Sequence, residues 1–494
     1  MFRRLAIAAF LVAWLPLAQA QLPEPVAARM AAGGIAPEAI SVLVLRGDTT
    51  LVSHLADRAM QPASTMKLVT TLVGLEQLGP VFKGRTELRT SGEVVRGVLK
   101  GDLVLRGGAD ADFSGEVLEK MLQTLRNQGI RRIDGNLVLD RSLFFPSRTD
   151  VGLPPFDESP DAYYNVIPDA LLVNKNMLQI DMRSTDRKLQ LVMQPPLDRV
   201  TVDSAMTLID ADCAKWEDGW KLPQVQQQNG KLKVVLQGTF PKNCAKGYSI
   251  NVVDRQDYVG RLFRGSWKKL GGSISGDVTE GVAAPDTRIL AEHASRALPE
   301  VVRDINKPSD NALARMVFLS LGSLEADPVL GSRPIAASAE TTFARADRVV
   351  RQWMRQHAIN DEGLVMENGS GLSRLERITA VQMGGLLKAG LRSDWAPEFQ
   401  ASLPIVAVDG TMRRRLKDSP AAGRARLKTG TLNNVTALAG YVRDAAGQQC
   451  VVVAMLNGDN IGNGKGRAVL DALVDWVARS GDEPAAVVAR SPNQ

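Results

Sequence analysis

Ser64-Thr65-Met66-Lys67 sets a hydroxyl and an amine three residues apart. On a helix the two side chains share one face, about one turn apart. A serine in that position can be a nucleophile and the lysine its base, with the helix N-terminus favouring a developing oxyanion. Lysine serves as a base only when burial lowers its pKa. The run from Ser64 to Leu78 is apolar at Met66, Val69, Leu72, Val73 and Leu78, the pattern of a helix that would be buried. A histidine base finds no support: His54, His293 and His357 form no local catalytic pattern, and neither a G-x-S-x-G elbow nor an H-E-x-x-H motif occurs. Spacing alone is weak, because Ser266-Trp267-Lys268-Lys269 fits it equally well. That second copy sits in a stretch with Tyr258, Leu262, Phe263, Trp267 and Leu270 on one face, and it reads as an ordinary amphipathic helix.

Specificity comes from two strings that follow in order, Ser309-Asp310-Asn311 and Lys428-Thr429-Gly430-Thr431. With S-x-x-K they make the trio of the class A β-lactamases and penicillin-binding proteins. The chemistry is coherent. Ser64 attacks a carbonyl and Lys67 takes its proton, Ser309 can relay a proton to the leaving amine, and Asn311 can hydrogen-bond the substrate amide or Lys67. Lys428 supplies a fixed positive charge, Thr429 and Thr431 can bind a substrate carboxylate, and Gly430 leaves room for substrate against the strand. The amides of Ser64 and Thr431 would form the oxyanion hole.

These residues need a helix for Ser64, a helix-rich region for Ser309 and a strand for Lys428. Ala39–Leu45 and Leu51–Leu55 read as a hairpin turned at Arg46-Gly47-Asp48. From about Thr86 to Val282 strand-like pieces and turns dominate, with an irregular Pro- and Asp-rich stretch at Phe144–Pro168. Helices are expected to dominate Ile289–Leu321 and to cover about Thr341–His357. The runs Arg426–Leu432, Val435–Val442 and Gln448–Leu456 read as an antiparallel meander, followed by a helix over about Arg467–Ser480 and a frayed tail. The division is 1–20 leader, 21–85 first part of the catalytic domain, 86–282 a mainly β insertion, and 283–494 the second part. The fold class is α+β.

Arg3 and Arg4, an apolar run from Leu5 to Leu17 and Ala18-Gln19-Ala20 read as a cleavable secretory signal, too short to span a membrane. Export to the periplasm without a stable membrane anchor is the expectation. The 494-residue chain carries a formal charge of +6 with its basic residues scattered, which makes nucleic acid a poor partner. Cys213 and Cys244 could be bridged in an oxidising compartment, and Cys450 reads as a buried strand residue. Asp110 and Asp112 read as a turn rather than a metal loop, and Gly462–Gly466 lacks the residues of a phosphate loop. No cofactor and no metal is called for.

The sequence resembles the low-molecular-mass class C penicillin-binding proteins, the D-alanyl-D-alanine carboxypeptidase/endopeptidase family. Besides the trio, the resemblance rests on Leu403-Pro404-Ile405, Val408-Asp409-Gly410-Thr411, Asn368–Arg374, Gly92-Glu93-Val94 and Leu99–Leu103. It implies a serine β-lactamase/transpeptidase-like domain, an antiparallel sheet flanked by helices, with two extra domains in the long gap between Ser64 and Ser309. It implies hydrolysis of the terminal D-Ala-D-Ala bond and of D-alanyl cross-links in peptidoglycan peptides, and acylation by β-lactams. A β-lactamase and a non-catalytic peptidoglycan-binding protein are the alternatives. The family usually has aspartate where Asn368 stands.

Overall fold

The computed structural model describes residues 22–336 and 338–481. The expected signal and frayed tail lie outside the described residues. One five-stranded antiparallel sheet organises the catalytic part, in the order Thr49–His54, Ile40–Arg46, Gln449–Asn457, Val435–Arg443, Arg426–Leu432. Its interior strands are apolar on both faces because both are covered. Val451, Val453 and Met455 join one buried cluster, whereas Cys450, Val452, Ala454 and Leu456 join another, as the two-residue strand period requires. The terminal helices Glu24–Gly33 and Lys465–Arg479 cover the second face. The first face receives Lys67–Leu78, Leu298–Asn306, Asn311–Leu321, Thr342–Gln356 and Ala380–Arg392.

Between these halves lies the insertion. Its first part holds a five-stranded sheet, ordered Val278–Glu280, Leu137–Asp140, Leu103–Gly108, Arg85–Thr90, Arg288–Ala294. A four-stranded sheet accompanies it, with helices Gly115–Asn127 and Arg255–Lys269 packed alongside. Within that part, Leu178–Ser184 pairs with Leu189–Gln194 and Ala245–Ile250, and Lys231–Pro241 gathers three further strands. Cys213 and Cys244 are bonded there, with Cα atoms 5.5 Å apart, and Cys450 is free and buried.

Two departures from the sequence reading have physical causes. Ile289–Ala294 is strand, not helix: Arg288–Ala294 pairs with Arg85–Thr90 and closes the first inserted sheet beyond residue 282. Gly115–Asn127 is a helix inside the β-dominated stretch, capped by Ser114, whose hydroxyl accepts from the Val117 amide, and anchored by Leu118, Met121, Leu122 and Leu125. Among the described residues no helix is long and apolar enough to cross a membrane, and no group of three metal-ligating side chains occurs.

Candidate active site

The serine–lysine motif spans a break in backbone geometry. Ala63–Met66 forms a 3-10 turn, and the α-helix begins only at Lys67. Ala63 has φ +45°, in the left-handed region, and Thr65 Oγ1 donates to Pro62 O at 2.7 Å, which holds the turn. Nearly every residue of Lys67–Leu78 is buried, as expected of a helix apolar on all sides.

Lys67 is fully buried and its Nζ lies 2.9 Å from Ser64 Oγ, 2.6 Å from Asn311 Oδ1 and 2.5 Å from the Ser370 carbonyl. A neutral amine has two N–H donors and one lone pair. Asn311 Oδ1 and the Ser370 carbonyl can only accept, so a deprotonated amine in this place has its two N–H donors matched and its lone pair available to the Ser64 hydroxyl. Burial, reinforced by the Lys428 charge, lowers the Lys67 pKa well below the usual lysine range; Glu376 and Asp310 oppose that shift, and Arg315 adds to it.

Ser309 and Asn311 stand at the corner between Leu298–Asn306 and Asn311–Leu321. Ser309 has φ +68°, and Asp310 caps the second helix by accepting from the Leu313 amide at 2.9 Å. Asn311 uses both ends of its amide, accepting from Lys67 and donating from Nδ2 to Tyr164 O at 2.8 Å. Lys428 is also fully buried, on the face of its strand opposite Leu427, and donates to Ser309 Oγ at 2.8 Å and to Thr429 O at 2.7 Å. Burial pushes its pKa down to about 7. A lysine so placed is charged below about pH 7 and loses that charge as pH rises through it.

Gly430 is required by contact. A β-carbon there would stand 2.6 Å from Pro62 O and 2.9 Å from Ser64 N, so the strand backbone lies directly against the turn that carries Ser64. Gly371 closes the other side: its φ is +82°, and a β-carbon would meet Ala63 O at 1.9 Å. Thr429 Oγ1 lies 2.8 Å from Thr411 Oγ1 at the rim, and Thr431 is exposed on the same strand, paired with Thr436. Ser64, Lys67, Ser309, Asn311 and Lys428 are thus joined by hydrogen bonds, with Thr429, Gly430 and Thr431 along the adjoining strand.

Several contributors were not read as such in the sequence. Ser370 acts through its carbonyl, which leaves no side-chain signal. Asn368 accepts from Ser370 N at 2.9 Å and Ser370 Oγ at 2.6 Å, and donates to Leu372 O at 3.1 Å; that last bond is one a carboxylate could not make. Thr411 donates its amide to Lys307 O at 3.2 Å, and Asp409 accepts from Lys307 Nζ at 2.6 Å and from Ile405 N at 2.7 Å. The insertion reaches the site through Tyr164 and through Lys175, which is ion-paired with Asp310. The decoy at Ser266 is an ordinary helix position: Lys269 is exposed and paired with Glu119.

Fold and site together define the class, a serine acyl-transfer enzyme of the β-lactamase/transpeptidase type. More particularly, the chain belongs to the D-Ala-D-Ala carboxypeptidase 3 (S13) family, whose model matches residues 24–480. It is 26% identical over 422 residues to the D-alanyl-D-alanine carboxypeptidase DacB of Haemophilus influenzae, spanning 84% of each chain. It is 27% identical over 408 residues to the D-alanyl-D-alanine carboxypeptidase of Actinomadura sp. strain R39, covering 81% of this chain and 73% of that one. The crystal structure of penicillin binding protein 4 (dacB) from Haemophilus influenzae shares the fold, with a TM-score of 0.75 at 23% identity over 92% of this chain and 99% of that one.

Proposed function

We propose that this protein is a serine D-alanyl-D-alanine carboxypeptidase of peptidoglycan stem peptides, with D,D-endopeptidase activity from the same acyl-enzyme, exported to the periplasm by residues 1–20. The observation that carries the reading is the placement of the buried Lys67 amine, 2.9 Å from Ser64 Oγ and against two groups, Asn311 Oδ1 and the Ser370 carbonyl, that can only accept. Ser64 Oγ attacks the carbonyl carbon of the penultimate D-alanine as its proton passes to Lys67 Nζ. The amides of Ser64 and Thr431 receive the oxyanion. Collapse breaks the C–N bond, and the proton held by Lys67 is relayed through the Ser309 hydroxyl to the leaving amine, which returns Lys67 to its neutral form while Lys428 holds Ser309 in place. Lys428, Thr429 and Thr431 hold the terminal carboxylate of the substrate. Water then hydrolyses the acyl-enzyme, with Lys67 again accepting a proton.

A cross-link presents the same D-alanyl carbonyl with a different amine behind it, so endopeptidase action needs no further chemistry. β-Lactams would acylate the same serine. Residues 86–282 are best divided into two nested domains, the second within about 178–250, which supply Tyr164 and Lys175 to the site from the segment joining them. Muropeptides digested with the wild-type protein and with Ser64→Ala, read by mass spectrometry, test the function. Loss of one terminal alanine and conversion of dimers to monomers are expected from the wild type alone. Products from Ser64→Ala would contradict the nucleophile.

A further inference from the structure

Glu376 is a fully buried carboxylate that no step above uses. Its Oε1 accepts from three successive amides, those of Glu367 at 3.2 Å, Asn368 at 3.1 Å and Gly369 at 3.2 Å. Its Oε2 is buried with no hydrogen-bond partner. No basic side chain forms an ion pair with it among the described residues, although it acts electrostatically on Arg315, whose own Nε is buried and unpartnered. Burial raises the Glu376 pKa above the usual carboxylate range, and the three amide donors converging on one oxygen, together with the Lys67 charge, oppose that shift and favour the ionised form. Immediately beyond those amides the loop runs through Gly369, whose carbonyl accepts from Thr70 Oγ1 at 2.6 Å, to the Ser370 carbonyl that accepts from Lys67.

We infer that Glu376 is a positioning residue for the base: it grips the back of the loop 367–370, aims the Ser370 carbonyl at Lys67, and supplies a buried negative charge that favours the protonated amine, so that Lys67 is basic enough to take the Ser64 proton. This rests on the reading of Lys67 as the base. The charged groups facing Lys67 are Lys428 from the strand, Arg315 and the capping Asp310 from the helix Asn311–Leu321, and Glu376 from the loop. Two cations and two anions thus surround it, and Glu376 is the buried anion without an ion-pair partner of its own, since Asp310 is engaged by Lys175. Asn368 is neutral and is occupied in shaping the loop, so the carboxylate of this loop's inner face stands at 376.

The test follows the pH dependence of Ser64 acylation by benzylpenicillin, by intact mass, in the full chain. Acylation in the wild type falls as pH drops through the Lys67 pKa. Glu376→Gln keeps an amide acceptor for the loop but removes the charge, so the acid limb moves to lower pH by about one unit or more. Glu376→Asp keeps the charge and withdraws the oxygen from the three amides; its limb stays in place while the plateau rate falls about tenfold or more. An unmoved limb in Glu376→Gln overturns the electrostatic role, and a wild-type plateau in Glu376→Asp overturns the positioning role. Failure of the underlying reading looks different: an acid limb that persists in Lys67→Ala would show that Lys67 is not the titrating base, whatever Glu376 does.

Discussion

Two segments of this chain carry serine and lysine at the same spacing, and both lie on or beside helices. At Ser64 the lysine is fully buried and its amine meets the serine hydroxyl at 2.9 Å. At Ser266 the lysine side chain is 69% exposed and spends its charge on Glu119 at 2.7 Å. Even the buried serine of the second pair is only a helix residue whose carbonyl accepts from Leu270 N at 3.1 Å. The difference lies in what surrounds each lysine, not in the motif. Lys67 is enclosed by Asn311, Ser370, Lys428 and Glu376, contributed by a helix, two parts of one loop and a strand remote in sequence. Burial without an ion pair turns an amine into a base, whereas exposure leaves a solvated cation.

Removing the base breaks the contrast most sharply. Lys67→Ala should slow acylation of Ser64 by benzylpenicillin about 10²- to 10⁴-fold, measured by intact mass over time. Gly430→Ala comes next: the added carbon collides with Pro62 O and displaces the nucleophile's turn, and a loss of about a hundredfold in acylation is expected with the melting temperature little changed.

A smaller effect sharpens the role of the second buried lysine. With its pKa about 7, Lys428 is charged below that pH and neutral above it. The apparent affinity for substrates bearing a terminal carboxylate should therefore weaken several-fold as pH rises through about 7, unless bound substrate holds the proton on. Lys428→Met should abolish that limb in the affinity while leaving the Lys67 limb in the rate. Lys269→Ala closes the series. An exposed pair contributes less than about 1 kcal/mol, so its melting temperature should shift slightly and its acylation rate should match the wild type.

Much of the site was legible because the chemistry here is local in sequence even where it is distant in space. Ser64-Thr65-Met66-Lys67, Ser309-Asp310-Asn311 and Lys428–Thr431 each present their side chains from one turn or strand, and a string of residues suffices to find them. Ser370 was not legible, because it works through a carbonyl that every residue has. Glu376 and Asn368 act by holding backbone, and a buried carboxylate looks the same in sequence as an exposed one. The burial of Lys428 was not legible for the same reason, since it depends on packing around the strand and not on the strand's own residues. In the fold, the terminal meander Arg426–Asn457 was readable from its apolar runs. The strand Arg288–Ala294 was not, since its partner Arg85–Thr90 lies some two hundred residues earlier and only that pairing decides its conformation. The helix Gly115–Asn127 did carry a signal, with Ser114 as cap and apolar residues at 118, 121, 122 and 125, amid a region otherwise made of strands.

The central claim is that Ser64, and not the serine at the same spacing in the second motif, forms the acyl-enzyme. The direct test is intact-mass analysis with peptide mapping after exposure to benzylpenicillin, applied to the wild type, Ser64→Ala and Ser266→Ala. The account predicts a single penicilloyl adduct on the peptide containing Ser64 in the wild type and in Ser266→Ala, and none in Ser64→Ala. An adduct that survives Ser64→Ala would contradict it.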